Sequence, residues 1–328
     1  MAEQPELRSL KEGDAFSGFL LAQEVAFKTS AKGSEYLELK LADASGELKG
    51  FLWDLRAIEG NMDLVAADAF LRVKGQVSLY NGRTQLRLDK VRFAEDQEVG
   101  DFSRFFPTSR RPPAAMLQDL DAVVAGVGDP WMRRLLELLF QEDELLRAAF
   151  AQAPAAKSLH HVFLGGLLEH TLSVAAMAER ACAHYQELNR DLVVTGVLLH
   201  DLGKTAELTY QRSFGYSDAG NLIGHISMEA EWINRAVALI PDFPEELRLL
   251  ILHIVLSHHG KLEYGSPVLP KTPEAVLVHY LDDLDGKLEA IFRTIRDDAG
   301  SGHWTPFSRS MERMLYKPRW PPVPGEPG

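Results

Sequence analysis

The sequence predicts a chain of two parts, an N-terminal β-barrel of five strands followed by an all-α domain. Three observations support this prediction. Apolar and polar residues alternate in short runs through the first hundred residues, which is the period of a strand with one buried face. A proline-containing segment without periodicity follows. Beyond it, apolar residues recur at steps of three and four, the period of amphipathic helices.

The strand-like runs cover residues 15–25, 36–41, 48–53, 70–77 and 84–93. Turn signals separate them at Ala44-Ser45-Gly46 and at Tyr80-Asn81-Gly82, where Asn-Gly favours a tight hairpin. A short helix is expected near residues 55–59, before the fourth strand. This order of elements predicts an OB-like barrel. Another small β-barrel or a sandwich is the alternative that the pattern leaves open.

Composition shifts give the predicted domain boundaries. The barrel, as a nucleic-acid-binding domain, takes residues 1–98, and the segment 99–113 is a linker because VGDFSRFFPTSRRPP has no sustained period. Residues 114–316 form the helical domain, in which Pro244 and Pro273 occupy first-turn positions. Residues 317–328, KPRWPPVPGEPG, are too rich in proline for regular structure and are expected to be a loose tail.

Charge and cysteine content limit the function classes. The net charge of −12 excludes binding to nucleic acid by bulk attraction, so any such contact must come from local cations or bound metal. Cys182 is the single cysteine, which excludes an internal disulfide and thiolate-rich zinc sites. With a polar N-terminus that is no secretory signal and no apolar run of membrane-spanning length, we expect a cytoplasmic protein without membrane contact.

Histidines and aspartates within apolar helical segments indicate a metal site. Burying an imidazole or a carboxylate among leucines and valines is costly unless the group is paired or binds a cation. Any one such histidine is more often a hydrogen-bonded core residue, but an ordered series on successive helices favours convergence on metal. The series comprises His170, His200-Asp201, His225, His258-His259 and Asp282.

This series resembles the HD superfamily of metal-dependent phosphohydrolases. HHVFLGGLLEHT, LLHDLGKTAEL, the GHI around His225, SHHGKLEYGSP, PKTPEA and HYLDDLD are further similar to the YhaM-type 3′→5′ exoribonucleases, which join an OB fold to an HD domain. FFPTS in the linker and the closing WTPFSRSMERMLYKP also resemble that family. The resemblance covers nearly the whole chain, although the barrel half matches mainly in pattern.

The resemblance implies two metal sites. His170, His200, Asp201 and Asp282 would form the first, with Asp201 bridging to the second because a carboxylate has two oxygens. His225 and His258 would form the second, and whether His259 ligates as well as His258 stays open. Ligation by both His and Asp suits Mn²⁺, Fe, Co²⁺, Ni²⁺ or Zn²⁺ better than Mg²⁺, and the resemblance implies two Mn²⁺ ions.

Two points within this site stay open at the level of sequence. Asp283 and Asp285 lie beside Asp282, and Asp285 shares its helix face, so which of the three ligates is not decided. Lys204 follows the helix end and is expected to act with His200 and Asp201 in catalysis by contacting a phosphate oxygen as a point charge. The alternative for Lys204 is a surface lysine at a helix C-terminus.

The barrel offers a second candidate surface. Strict alternation places Tyr36, Lys49, Phe51 and Trp53 outward on the second and third strands, with Phe70, Arg72 and Lys74 outward on the fourth. Aromatics beside cations suit base stacking and phosphate contact. The competing interpretation is that these aromatics pack against another domain or subunit of a homo-oligomer. The barrel's 14 basic and 18 acidic side chains over residues 1–105 do not favour nucleic acid.

We therefore expect a metal-dependent 3′→5′ exonuclease that hydrolyses single-stranded RNA, and DNA as a second substrate class. The main rival is an HD-type nucleotidase or cyclic-nucleotide phosphodiesterase whose barrel serves assembly. A third class is a catalytically inactive nucleic-acid-binding or scaffolding protein, which the complete set of metal ligands argues against.

Overall fold

The computed structural model describes residues 4–30, 33–80, 82–100, 102–156, 163–210, 215–298, 300–309 and 311–318. Contacts divide the chain into two units, one made of Met1–Arg110 with Leu208–Ser217 and one made of Arg111–Glu207 with Asp218–Gly328. We call them the barrel unit and the helical unit. Among the described residues, none of the helices combines the length and apolarity needed to cross a membrane.

The barrel unit contains one main sheet. Its strands are β1 (Ala15–Thr29), β2 (Glu35–Asp43), β3 (Gly46–Leu52), β4 (Ile58–Glu59), β5 (Ala69–Tyr80) and β6 (Arg83–Phe93). They follow the order β3-β2-β1-β5-β6-β4, and an additional parallel pairing between β3 and β6 closes the sheet on itself. The predicted closed barrel of five strands is thereby confirmed, and the two-residue β4 is an extra edge pairing on β6.

The alternation of apolar and polar residues decides which side chains fill the interior of this barrel. Leu37 of β2 faces Leu52 of β3, and Leu41 faces Leu48, so apolar side chains meet on one face of the pair. The buried cluster continues through Phe16 and Leu20 of β1 and into β5 and β6. The expected hairpin after β5 is present, since Tyr80 pairs with Arg83, although Asn81 lies outside the described residues. The expected short helix is a 3₁₀ turn, Leu55–Ala57.

Phe70 was expected to be exposed, and this prediction is wrong. Its side chain is only 1% exposed because the Phe105 ring lies 4.8 Å from it, centroid to centroid. Phe105 belongs to a 3₁₀ helix, Phe102–Phe105, within the segment that was predicted as a linker. Arg104 of this helix accepts a hydrogen bond from the backbone N–H of Ala44. The strand pattern alone does not show that a later segment covers this outer position.

The helical unit begins with α2–α4 and includes the helices that carry the predicted metal ligands. The helices of the chain are α1 (Asp96–Val99, in the barrel unit), α2 (Pro113–Ala125), α3 (Pro130–Glu137), α4 (Glu144–Gln152), α5 (Gly166–His184), α6 (Arg190–Leu199), α7 (Lys204–Glu207), α8 (Asp218–Ile223), α9 (His225–Val237), α10 (Glu245–Ser257) and α11 (Pro273–Asp297). A π-helical turn, Leu138–Glu142, follows α3. Between α7 and α8 two short strands, β7 (Leu208–Thr209) and β8 (Gly215–Tyr216), pair antiparallel.

The centre of the helical unit is α6. Every residue from Leu192 to Leu199 is buried, as expected for a helix that is apolar all round. It packs against α3, α5, α10 and α11. At Gly196 an added Cβ would lie 2.6 Å from the Ile254 side chain, so glycine allows α10 to approach closely. The C-terminal end of this buried helix is thereby held among the neighbouring helices.

Replacing Gly75 tests how tightly the barrel closes. Gly75 lies at a bulge in the β5–β6 pairing, and a Cβ there would lie 2.3 Å from the carbonyl oxygen of Arg87. We expect Gly75→Ala to destabilise the barrel by about 1–3 kcal/mol. Amide hydrogen exchange in β5 and β6 should then be faster by roughly tenfold or more. Gly46→Ala is the control, since no atom lies within 4 Å of its Cβ position. Equal exchange rates in both variants would contradict the bulge argument.

Candidate functional site

The His and Asp residues predicted as ligands converge at the end of α6. His200 caps α6 and Asp201 follows it, while His170 comes from α5 and Asp282 from α11. The Nε2 atom of His170 lies 3.2 Å from Oδ1 of Asp282 and 3.3 Å from Nε2 of His200. Oδ2 of Asp201 lies 3.7 Å and 3.4 Å from the same two imidazole nitrogens. We call these four residues the first cluster.

The other oxygen of Asp201 belongs to a second cluster. Oδ1 lies 3.6 Å from Nε2 of His225, at the start of α9, and 3.6 Å from Nε2 of His258, at the end of α10. His259 completes the group. In each cluster the ligand atoms lie within 4.8 Å of one another. Asp201 is the residue that the two clusters share.

The spacing of these atoms suits bound cations. Ligand atoms about 2.0–2.2 Å from one ion lie roughly 3–3.6 Å apart, which is near the distances found here. Three of the atoms, Asp201 Oδ1, His225 Nε2 and His258 Nε2, are buried and have no hydrogen-bond partner within the described part of the chain. Buried polar atoms without partners are costly, and a shared cation would satisfy all three. The His/Asp cluster therefore fits a divalent metal site.

Hydrogen bonds at Nδ1 leave Nε2 available in all five histidines. A carbonyl or carboxylate oxygen only accepts, so Nδ1 carries the proton of the neutral ring, and Nε2 is the atom that would bind a cation. His200 and His258 donate to carbonyl oxygens three residues earlier, which lack partners because they lie in the last turn of a helix. The acceptors are Val197 for His200, Val255 for His258, Tyr264 for His259, Glu207 for His225 and Asp285 for His170, at 2.7–2.9 Å.

The three neighbouring acids of α11 have different environments. Asp282 points an oxygen into the first cluster. Asp285 is buried behind His170, where its two oxygens accept from Nδ1 of that ring and from the Ser173 hydroxyl. Asp283 pairs with Lys287 on the surface. This geometry favours Asp282 as the ligand and Asp285 as the residue that orients His170.

The electrostatic field of the first cluster favours positive charge. Burial would raise the pKa of the Asp201 carboxyl, but the charge of Lys204 and the neighbouring imidazoles hold it well below its usual range. Burial likewise opposes ionisation of Asp282, yet hydrogen bonds from His170 and His200 hold its pKa well below normal. Conversely, Asp282 and Asp285 outweigh burial and raise the pKa of His170 to about 9. These ionised carboxylates would attract a divalent cation.

The second cluster favours neutral imidazoles. Burial and the neighbouring His258 and His225 lower the pKa of His259 to about 3. Burial also lowers the pKa of His258, despite the opposing effect of Asp201. A neutral imidazole is the form that binds metal, so these rings are ready to act as ligands.

Lys204 lies within the site rather than on the surface. Its side chain is 12% exposed, and its Nζ lies 2.7 Å from Oδ2 of Asp201. Burial would lower the pKa of Lys204, but Asp201 and Asp282 raise it, so the ammonium is charged. The lysine thus places a positive charge beside the first cluster.

Two residues that the sequence did not single out shape the second cluster. Glu207 accepts from both the backbone N–H and Nδ1 of His225. Glu229, fully buried on α9, accepts from the backbone N–H of Gly203. A Cβ at Gly203 would lie 2.3 Å from the carbonyl oxygen of His225, so glycine lets α9 approach the turn after Asp201. Glu207 and Glu229 belong to no sequence motif around His225 that would have identified them.

The predicted aromatic face of the barrel is present on β2 and β3. The rings of Tyr36 and Trp53 stack with centroids 4.7 Å apart, and Phe51 lies 6.1 Å from Trp53. Trp53 is 56% exposed. We call Tyr36, Phe51 and Trp53 the aromatic face. Tyr36 and Phe51 are half-buried, and the exposed Trp53, directly after β3, offers the most ring surface to a further planar group.

The predicted cations of the barrel differ in whether a carboxylate already neutralises them. Glu38 accepts from both Lys28 and Lys49, so the charge of Lys49 is already neutralised. Arg72 lies over the Phe19 ring, 5.6 Å from its centroid. Within the described residues, no carboxylate pairs with Lys74, Arg72 or Arg87. Arg87, which the sequence did not indicate, is exposed and lies beside Phe51 in the β3–β6 pairing.

His160 and His161, the two histidines that open the motif HHVFLGGLLEHT, lie outside the described residues.

The comparisons with known proteins agree with this arrangement. Residues 167–287, which include all the proposed ligands, match the family model described as HD domain. The 3′-5′ exoribonuclease YhaM of Bacillus subtilis (strain 168) is 34% identical over 307 residues, covering 93% of this chain and 96% of the relative. The YhaM protein of Bacillus velezensis is 33% identical with the same coverage. The similarity therefore extends over nearly the full length of both chains.

Among solved structures, the HD domain of the phosphodiesterase PgpH from L. monocytogenes is similar to this chain. It is 21% identical and covers 49% of this chain and 77% of that chain, with a TM-score of 0.28. A score this low supports no functional inference.

Removing the carboxylate behind His170 tests the metal site. Without Asp285 the imidazole loses the acceptor that fixes its Nδ1 proton and ring orientation. We expect Asp285→Ala to weaken binding of Mn²⁺ by about 10–100-fold in a calorimetric titration. Asp283→Ala is the matched control, two residues away on the same helix, and should bind Mn²⁺ like the unmodified protein. Equal affinities in the two variants would rule out the assigned role of Asp285.

Proposed function

The chain belongs to the YhaM family of 3′-5′ exoribonucleases, and from this premise we propose that it removes nucleotides from the 3′ end of single-stranded RNA. It is a metal-dependent hydrolase with an HD domain. The observation that carries the proposal is the sharing of Asp201 between two clusters of metal-ligand atoms in the helical unit. Paired divalent sites of this kind serve hydrolysis of phosphate esters.

We propose two ions of Mn²⁺, one in each cluster. The ligand set is five imidazole nitrogens with two carboxylates, which suits Mn²⁺, Fe, Co²⁺, Ni²⁺ or Zn²⁺ better than Mg²⁺. When bound, such ions supply Lewis-acid activation of water and neutralise negative charge on phosphate. The family resemblance supports Mn²⁺ among these metals.

The residues of the chain would divide the remaining tasks. Asp201 holds the two clusters at a fixed separation, because one rigid carboxylate provides a ligand atom to each. His200 is fixed by its hydrogen bond to Val197 and presents Nε2 without rotating. This preorganisation matters for catalysis since misplacement of reacting groups by about 1 Å costs roughly a hundredfold in rate.

Lys204 would act on the substrate phosphate. Its ammonium is held beside Asp201 in a largely buried position, where charge interactions are stronger than in water. Cations bound between the carboxylates would compete with this ion pair and leave the lysine donors for a non-bridging phosphate oxygen. A positioned cation of this kind stabilises charge that develops during the reaction.

The aromatic face of the barrel would hold the single strand. Bases stack on exposed aromatic rings whatever their sequence, while cations contact the backbone. Arg72, Lys74 and Arg87 have no carboxylate partner among the described residues, so their charges are available for phosphates. Lys49 would contribute less because Glu38 neutralises it. Single-stranded DNA presents the same bases and phosphates and is proposed as a second substrate class.

Substitution of the shared aspartate tests the hydrolytic site. We expect Asp201→Ala or His200→Ala to lower kcat on an end-labelled RNA oligomer with Mn²⁺ by more than about a hundredfold. This loss is larger than the one expected for a residue that only orients a ligand, such as Asp285. His184→Ala, an exposed histidine on the same helix as His170, should retain activity. Circular dichroism checks that each variant folds. Full activity of the folded Asp201 variant at saturating Mn²⁺ would refute the site.

The same assay separates the rival function. A ladder that shortens from the 3′ end supports the exonuclease, whereas turnover of mononucleotides or cyclic dinucleotides without shortening of RNA supports the nucleotidase or phosphodiesterase.

Removing one ring tests the barrel face. Stacking of a base on an aromatic ring contributes about 1–3 kcal/mol, so Trp53→Ala should weaken RNA binding by roughly 5–150-fold. Fluorescence anisotropy in the presence of a metal chelator measures binding without hydrolysis. Met62→Ala, an exposed apolar residue outside the aromatic face, is the control and should bind normally. Unchanged affinity of the Trp53 variant would instead favour packing of these rings against protein.

A further inference from the structure

A second aromatic surface lies in the helical unit, on the hairpin that follows α11. Backbone pairing joins Trp304 to Tyr316 and Ser308 to Arg313. Thr305 and Leu315 are buried between the two arms, and Thr305 both donates its N–H to the Leu315 carbonyl and accepts from the Leu315 N–H through its hydroxyl. We call residues 303–317 the C-terminal hairpin. Its backbone is held by several bonds, so the side chains on it have fixed positions.

Large aromatic side chains on this hairpin are open to solvent. Trp304 is 56% exposed, Phe307 61% and Tyr316 48%. The His303 ring stacks on Tyr316 at 5.6 Å with an angle of 8°, and Trp304 meets Tyr316 edge-on at 5.1 Å. Three rings are thus ordered against one another while keeping exposed faces. Rings arranged in this way offer planar surfaces on which a further aromatic group, such as a nucleic-acid base, can stack.

The charge around these rings favours an anionic partner. Arg309 and Arg313 are exposed, and in the ranges that the structure describes neither forms an ion pair with a carboxylate. Glu312 is the one acidic residue between them. Arg313 donates from its Nε to the Met311 carbonyl, which leaves its charge uncompensated. In a chain of net charge −12, two arginines without a carboxylate partner in the described ranges give the hairpin that carries these rings local positive charge. Arginine and aromatic side chains together suit single-stranded nucleic acid, through phosphate contacts and stacking.

The hairpin is tied to the end of α11 that lies away from the metal ligand Asp282. Asp282 and the end of α11 at Asp297 are 15 residues apart, which at about 1.5 Å per residue places the helix end roughly 22 Å along the axis. Lys317 bonds to Asp298 and to the carbonyl oxygen of Gly300, which ties the hairpin to that end of the helix. The end of α11 to which the hairpin is tied therefore lies several nucleotide lengths from Asp282.

We propose that the C-terminal hairpin binds the upstream part of single-stranded RNA whose 3′ end lies at the metal site. Bases stack on Trp304 and Tyr316 while Arg309 and Arg313 contact phosphates. The proposal rests on the proposed function, since it assumes that RNA enters the site by its 3′ end. At about 3.4 Å per stacked nucleotide, a strand must have roughly six or more nucleotides to reach from the site to the hairpin.

Strand length provides the test. The full-length protein with Mn²⁺ is assayed on RNA of about 3 and about 12 nucleotides, of which only the longer spans the distance. We expect Trp304→Ala to raise KM for the longer RNA about tenfold, the cost of one lost stacking contact, and to leave kcat and the shorter RNA unchanged. Trp304→Phe, which retains a ring, should restore most of the affinity.

Tyr185→Ala is the matched control, because Tyr185 is an aromatic residue of the helical unit exposed to a similar extent at 55%. Equal KM values for the Trp304 and Tyr185 variants on the longer RNA overturn the proposal, and the hairpin is then free for a protein partner. An equal rise of KM on both RNA lengths for the Trp304 variant also overturns the proposal, since that indicates general damage to the site. If the unmodified protein fails to shorten RNA, the proposed function itself fails, whatever the variants do.

Discussion

The arrangement of the helical unit depends on a single buried carboxylate. Asp201 is 2% exposed and stands where α5, α6, α9, α10 and α11 bring their polar side chains together. A buried charge is tolerated only where other charges compensate it, and here four imidazoles, a lysine and the field of the cluster surround it. The same carboxylate offers one oxygen to each group of ligands. Compensation of its charge and the gathering of both ligand clusters are therefore one structural requirement.

The ends of helices supply much of this construction. His200 and His258 cap α6 and α10, where carbonyl oxygens lack intrahelical partners and accept the Nδ1 protons of the two rings. The unpaired carbonyl oxygens at the end of a helix thus orient these two histidine rings without help from other side chains. His170 and His225 lie elsewhere on their helices and need carboxylates, Asp285 and Glu207, for the same purpose. Helices that are apolar all round hold these groups away from solvent, which strengthens each interaction.

The contacts that we propose with a strand of nucleic acid follow a different principle, because they need exposed rather than buried groups. The aromatic face of the barrel and the C-terminal hairpin both combine stacked rings with arginines that lack acidic partners among the described residues. Elsewhere the barrel neutralises its cations locally, as Glu38 does for Lys28 and Lys49. An acidic chain can in this way present short cationic surfaces while its net charge stays at −12.

By itself the sequence predicted the closed barrel, the helical second part and the His and Asp residues that the structure gathers into the two clusters, because alternation, helical periodicity and polar residues in apolar runs are local signals. It could not decide among Asp282, Asp283 and Asp285, which share one short segment but differ in what lies opposite. Nor did it indicate that Phe105 covers Phe70, or that Glu207 and Glu229 shape the site. Such relations join atoms far apart in the chain, as with His170 and Asp285, 115 residues apart. Only packing in three dimensions brings them within bonding distance.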